Sequence, residues 1–244
     1  MPITCAVVLK VSDRKDGEMR AVCATWFSRI LSSLTSTIDS RIPAAKSAPK
    51  TLYLTFDDGP TKFGTAELLD VLAKFSVPAT FFLLGRNVER HPQLVRRILD
   101  LGHDVGNHSH SHIDAWKSSR RQTLADFRRC SNVLKQTLGV SVRLLRPPFG
   151  RVTPALAHWA IRRKQRLTLW DVMPPDFQPG ISTSQIVRKM TRGVRNGSII
   201  CLHDNEQSRS VTPAALETAL PQLQAEGWKF ARLPASSEPP CVGQ

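Results

Sequence analysis

From Lys50 to Arg232 the chain repeats one pattern: a short run of strand formers, a turn signal, then apolar residues at helical spacing. Thr51–Phe56 is rich in β-formers and stops at Asp57-Asp58-Gly59-Pro60. Further strands are predicted at Ala79–Leu84, Asp104–Asn107, Val142–Leu145, Arg166–Trp170, Ser198–Leu202 and Lys229–Arg232. Between them, Thr65–Phe75 places Leu68, Leu69, Leu72 and Phe75 at helical spacing. Pro92–Leu101, Ser119–Leu138, Thr153–Arg163, Thr183–Arg195 and the stretch from Thr212 to Gly227 read the same way. Seven strands alternating with six helices predict an α/β fold with a parallel sheet, either open and doubly wound or closed into a barrel. No G-x-G-x-x-G and no P-loop occurs, which removes support for a nucleotide-binding version.

With 244 residues, 41% of them hydrophobic, the chain can bury a sizeable core, and it has no apolar run long enough for a conventional membrane span. Its net charge of +14 suggests a polyanion partner: nucleic acid, anionic lipid or a wall polymer. The charge is dispersed in short clusters such as Arg120-Arg121, Arg128-Arg129 and Arg162-Arg163-Lys164. These read as solvated helix faces with at most a weak attraction to an anionic envelope, and no specific nucleic-acid site is expected. The five cysteines form no C-x-x-C and are expected as buried or free thiols.

Residues 1–50 read as an extension or linker, 51–234 as the main domain and 235–244 as a tail. The apolar stretches Cys5–Leu9 and Ala21–Phe27 are interrupted by Lys10 and Arg29, so no clear leader follows from Met1. A start at Met19 fits a leader better, and Ser36–Lys50 reads as a linker. Envelope, secreted and cytoplasmic locations all stay open, as does the oligomeric state.

Active sites of parallel α/β folds gather at the carboxyl ends of the strands. Five predicted strands lead there to Asp57 and Asp58, to His108 and His112, to Arg146, to Asp171 and Asp176, and to His203 and Asp204. On a helical turn, His108 and His112 would point the same way and suit a divalent metal. Of the two adjacent carboxylates, one can ligate and the other stay free as a base. A set of two His and one Asp with open positions is that of a catalytic metal site. His110 is expected to point elsewhere, and His91, His103 and His158 to be turn or helix-surface residues.

The strings Thr55-Phe56-Asp57-Asp58-Gly59-Pro60, His108-Ser109-x-x-His112, Arg146-Pro147-Pro148-Phe149-Gly150 and Leu202-His203-Asp204 resemble the polysaccharide deacetylases, the NodB-homology domains of carbohydrate esterase family 4. The resemblance covers roughly residues 50–232. It implies a distorted (β/α) barrel of fewer than eight strands, TIM-barrel-like. It also implies a divalent metal, usually zinc, and removal of N-acetyl groups from aminosugar polymers such as chitin oligomers or peptidoglycan. On this reading Asp58, His108 and His112 hold the metal and Asp57 is the general base. The backbone N–H of Phe149 faces the oxyanion, and His203 is the general acid. Arg146 keeps Asp57 ionised, and Asp176 raises the pKa of His203.

Three departures bear on substrate choice. Met173 and Phe177 stand in the family's D-x-x-D-W, Phe149 replaces a commoner Tyr, and Cys201 stands where a Leu is expected near the acetyl pocket. Phe149, Pro148, Trp170 and Phe177 are candidates for the substrate wall, with core packing an equal reading for Trp170. The competing functions are an O-acetyl esterase on acetylated xylan-type glycans, a non-catalytic basic glycan-binding module and, on charge alone, a nucleic-acid binder.

Overall fold

The computed structural model describes residues 38–43 and 48–235. Its strands are β1 (Ile38–Asp39), β2 (Thr51–Asp57), β3 (Thr80–Leu83), β4 (Asp104–Asn107), β5 (Leu144–Leu145), β6 (Arg166–Thr168), β7 (Ile199–His203) and β8 (Lys229–Phe230). Its helices are α1 (Gly64–Lys74), α2 (Gly85–Arg90), α3 (Pro92–Asp100), α4 (Arg120–Leu138), α5 (Pro154–Arg162), α6 (Thr183–Arg192) and α7 (Thr212–Ala225). Every strand pairing is parallel. The spatial order is β1-β6-β5-β4-β3-β2-β7, with β8 beside the first residues of β2. Between the two ends of this order, single bridges join Arg41, just after β1, to Ser198 and Val172, beyond β6, to Ile200. The result is the expected distorted (β/α) barrel, closed along one seam by isolated pairs rather than a ladder.

Local chemistry explains most boundaries. Ser119 and Ser182 each form a capping box, with Gln122 and Gln185 respectively, and Gly139 closes α4 in the left-handed conformation. Two elements differ from expectation. Ile38–Asp39, inside the stretch expected as a linker, pairs in parallel with β6. The short helix α2 has a single large apolar residue in the core, Val88, which is too little to create a period. The stretches weighed as a leader lie outside the described residues, as do Cys5, Cys23 and Cys241. Among the described residues no helix is long and apolar enough to cross a membrane, and both cysteines, Cys130 and Cys201, are free and buried.

The period-2 alternation of two neighbouring strands, β2 and β7, positions the site. In β2, Leu52, Leu54 and Phe56 turn outward into the core shared with the helices, while Tyr53 packs in the barrel interior with Phe82, Leu144 and Ile199. Each fully buried large apolar side chain here, such as Phe56 against Phe81 at 5.0 Å, contributes about 1.5–3 kcal/mol. The inward series of β2 continues from Tyr53 through Thr55 to Asp57. In β7 it runs from Ile199 through Cys201 to His203. The register sets Thr55 beside Cys201 and Asp57 beside His203. An apolar interior floor is thus topped by a polar layer at the carboxyl ends.

Candidate active site

Arg146 follows β5 and is completely buried beneath this layer, with its guanidinium 4.1 Å from the centre of the Phe82 ring. It donates to the Asp57 carboxylate at 2.7 Å, to Thr55 Oγ1 at 2.8 Å, and to the carbonyls of Leu169 at 2.9 Å and Thr168 at 3.3 Å. The other Asp57 oxygen accepts a weak bond from the Cys201 thiol at 3.4 Å. Burial pushes the Asp57 carboxyl up, but Arg146 and the rings of His108 and His203 outweigh it and hold the pKa below the ordinary value. The Cys201 thiol stays protonated, because burial and the neighbouring Asp57 both raise its pKa.

Asp58, His108 and His112 present ligand atoms within 4.8 Å of one another. Asp58 Oδ1 lies 3.6 Å from His108 Nε2 and 3.2 Å from His112 Nε2. It is buried and accepts no hydrogen bond, while Oδ2 accepts from Asn205 at 2.9 Å. A buried carboxylate oxygen without a donor, aimed at two imidazole nitrogens, fits a divalent cation better than any group the chain supplies. His108 Nδ1 is 2.9 Å from the Arg146 carbonyl, which fixes Nδ1 as the protonated nitrogen and leaves Nε2 free for a ligand. Burial and the His108 ring depress the pKa of His112, favouring the neutral form a metal needs.

The two histidines do not share a helical turn, contrary to expectation. Residues 108–113 are irregular, with Ser109 and His112 at φ of 70° and 64°. Asn107 Oδ1 accepts from the Ser109 N–H, and Asp126 of α4 accepts from those of His110 and Ser111. These side-chain acceptors take the donors a helix start would leave unpaired and bend the loop until both rings converge. His110 turns away to within 3.8 Å of Glu89, and the buried ring of His103 accepts from the Ala79 N–H at 3.1 Å.

On the opposite side, His203 Nδ1 is 2.8 Å from Asp176 Oδ1. Asp176 Oδ2 accepts from the His203 N–H and from Thr212 Oγ1, both at 2.8 Å. Burial disfavours the charged ring. The bond and charge of Asp176, with those of Asp57 and Asp58, prevail and raise the His203 pKa to about 9. Asp171 instead braces the backbone, accepting from Ser198 Oγ at 2.9 Å and the Ile199 N–H at 2.8 Å.

Phe149 is 57% exposed and stands edge-on to His112 at 4.6 Å, and Phe177 does the same to His203 at 5.1 Å. Pro148 is buried and precedes Phe149 in the short 3-10 turn Pro148–Gly150. Trp170 is partly buried against two core groups, behind Arg146 at 5.5 Å. Met173 is 37% exposed. Asp58 and His112 also line a cleft of about 480 Å³.

Two supporting residues, Asn205 and Asn87, had no sequence motif to announce them. Asn205 holds Asp58 through its side chain, and Asn87 of α2 donates to the Asp58 carbonyl at 2.7 Å. Asp204 is fully buried, bonded to Thr65 at 2.6 Å, and burial lifts its pKa to about 7. Gly59 is obligatory beside it, since a Cβ there would come within 1.9 Å of the Asp204 carboxylate. The parity of β2 and β7 was the one available signal that Cys201 would meet Asp57.

A family model described as polysaccharide deacetylase matches residues 44–168. The chain belongs to the polysaccharide deacetylase family. It is therefore a hydrolase of carbon–nitrogen bonds other than peptide bonds. Among its relatives, a peptidoglycan-N-acetylglucosamine deacetylase of Bacillus cereus is 34% identical, covering 74% of this chain and 85% of its own. A chitooligosaccharide deacetylase of Sinorhizobium fredii is 35% identical, over 79% of this chain and 94% of its own. Among solved structures of the family, that of the Bc1960 peptidoglycan N-acetylglucosamine deacetylase superposes with a TM-score of 0.77 and 29% identity, covering 87% of this chain and 95% of that one.

Proposed function

We propose that the chain is a metal-dependent N-deacetylase acting on N-acetylglucosamine units of a poly- or oligosaccharide. The observation that carries this reading is the buried, donor-free Asp58 Oδ1 facing two imidazoles, flanked by Asp57–Arg146 on one side and His203–Asp176 on the other. Asp58, His108 and His112 hold one divalent ion, which we take to be zinc. When bound, the ion supplies Lewis acidity toward water and the acetyl carbonyl. Asp57, ionised and oriented by Arg146, takes the proton of the attacking water. The Phe149 N–H, at a residue with φ of 59°, donates to the developing oxyanion. His203, kept protonated by Asp176, gives its proton to the leaving sugar amine. Phe149 and Phe177 flank the reacting group, with Pro148 and Trp170 supporting them from below.

Metal analysis is expected to find about one tightly bound divalent ion per chain, lost in His108→Ala/His112→Ala. Dialysis against a chelator is expected to abolish acetate release from N-acetylglucosamine tetramer, and added zinc to restore it. A chain that binds no ion, or that keeps full activity after chelation, overturns the reading. Acetate release from acetyl-xylan with none from the tetramer favours an esterase instead.

The acid carries its own pH test. A raised His203 pKa keeps the ring protonated up to about 9. Turnover should therefore fall on the alkaline side as pH rises through that value. Removing the partner charge in Asp176→Asn is expected to move this alkaline limb down by about two pH units. A pH profile of kcat with an unmoved limb would assign the acid to another group.

A further inference from the structure

We propose that the cleft beside Asp58 and His112 binds a carboxylate carried on the sugar ring adjoining the one that is deacetylated. This deepens the deacetylase reading above and rests on it. Asp58 and His112 are themselves among the residues that line the cleft, so it opens directly onto the reacting end and has room for a sugar ring adjoining the one that reacts. That space is lined by Lys62, just before α1, and by Arg86 and Arg90 of α2. All three are exposed. Among the described residues none of them has an acidic partner within ion-pair distance, whereas Lys74, Arg97, Arg129 and Arg209 each do. Besides Asp58, the cleft holds one carboxylate, Glu206, and Arg209 already lies 4.0 Å from it. Three like charges converging on one cleft repel one another, and a neutral N-acetylglucosamine chain gives them no counter-charge. A carboxylate on the adjoining ring does so and gains charge-assisted bonds from two guanidinium forks. Phe63, 44% exposed in the same cleft, has Lys62 over its ring at 5.1 Å and Arg209 at 4.4 Å, which adds to the positive charge gathered there.

The test compares metal-loaded enzyme on four tetrasaccharides: neutral N-acetylglucosamine tetramer; an alternating N-acetylglucosamine and N-acetylmuramic acid tetramer with free lactyl carboxylates; that tetramer with its carboxylates amidated; and an N-acetylglucosamine–glucuronic acid tetramer. The lactyl and uronic arms separate the two places such a carboxylate can sit. We expect kcat/KM for at least one acid to exceed that for its uncharged counterpart (the amide or the neutral tetramer) by about tenfold at low salt. Arg86→Gln/Arg90→Gln is expected to shrink that ratio to about twofold, and so is about 0.5 M salt. Equal rates for charged and uncharged tetramers, or a preference untouched by the double variant, overturn the proposal. If no tetramer releases acetate, the deacetylase reading fails separately. Calorimetric binding of acid against amide then decides: tighter acid binding that the double variant loses upholds the site, and equal binding removes it.

Discussion

Asp57→Asn is expected to lower kcat/KM for N-acetylglucosamine tetramer by about a thousandfold while leaving the bound metal in place. The substitution keeps the side-chain shape, so Arg146 Nη1, now 2.7 Å from an Asp57 oxygen, still finds an acceptor. What disappears is the lone pair that receives the water proton. Asp58, His108 and His112 are untouched, so metal content measured on the same sample separates loss of the base from loss of the ion. Undiminished acetate release would remove Asp57 from the chemistry and leave it as a plain partner of Arg146.

The second large effect is on stability. Arg146→Met is expected to destabilise the fold by about 3–5 kcal/mol, because it strands the buried Asp57 charge without its counter-ion. The Thr168 and Leu169 carbonyls also lose a donor. Urea unfolding measures this directly. Adding Asp57→Asn to Arg146→Met removes the stranded charge, so the double variant should be more stable than Arg146→Met alone. A double variant no better than the single one would mean that packing of the long side chain, not its charge, is what the interior needs. Arg146→Lys should rescue poorly, since one ammonium cannot span acceptors on both sides of the barrel interior.

Much of this was legible in sequence because it depends on strand order and parity. TLYLTFD is buried along nearly its whole length, and a run of this kind reads as a central parallel strand. Its end must then lie at the active-site rim, which fixes Asp57 and Asp58. The helices Ser119–Leu138 and Thr183–Arg195 were legible as segments, and the structure adds the capping boxes at Ser119 and Ser182 that start them. The 108–112 loop was not, because its shape is set by Asp126, far along the chain in α4. Spacing alone suggested a helical turn, and tertiary acceptors produced a different route to the same convergence. Asn205 and Asn87 were invisible for a similar reason: an amide that holds a ligand looks like any loop asparagine until the chain is folded. Ile38–Asp39 is too short to show a period, and it joins the sheet beside β6.

Asp58, Ser109, His112 and Phe149 all hold positive φ, between 59° and 84°, and all gather at the rim of this one site. Glycine would occupy those torsions freely, yet at 58, 112 or 149 it would remove the carboxylate, the imidazole or the aromatic edge. The molecule therefore holds these residues in an unfavourable backbone state of order 1 kcal/mol or more each, which the rest of the fold must sustain. This sets a direction for evolution and engineering alike. Gains in robustness can accumulate in the helical layer and at the barrel seam, but at these positions greater ease of the backbone and a working site exclude each other.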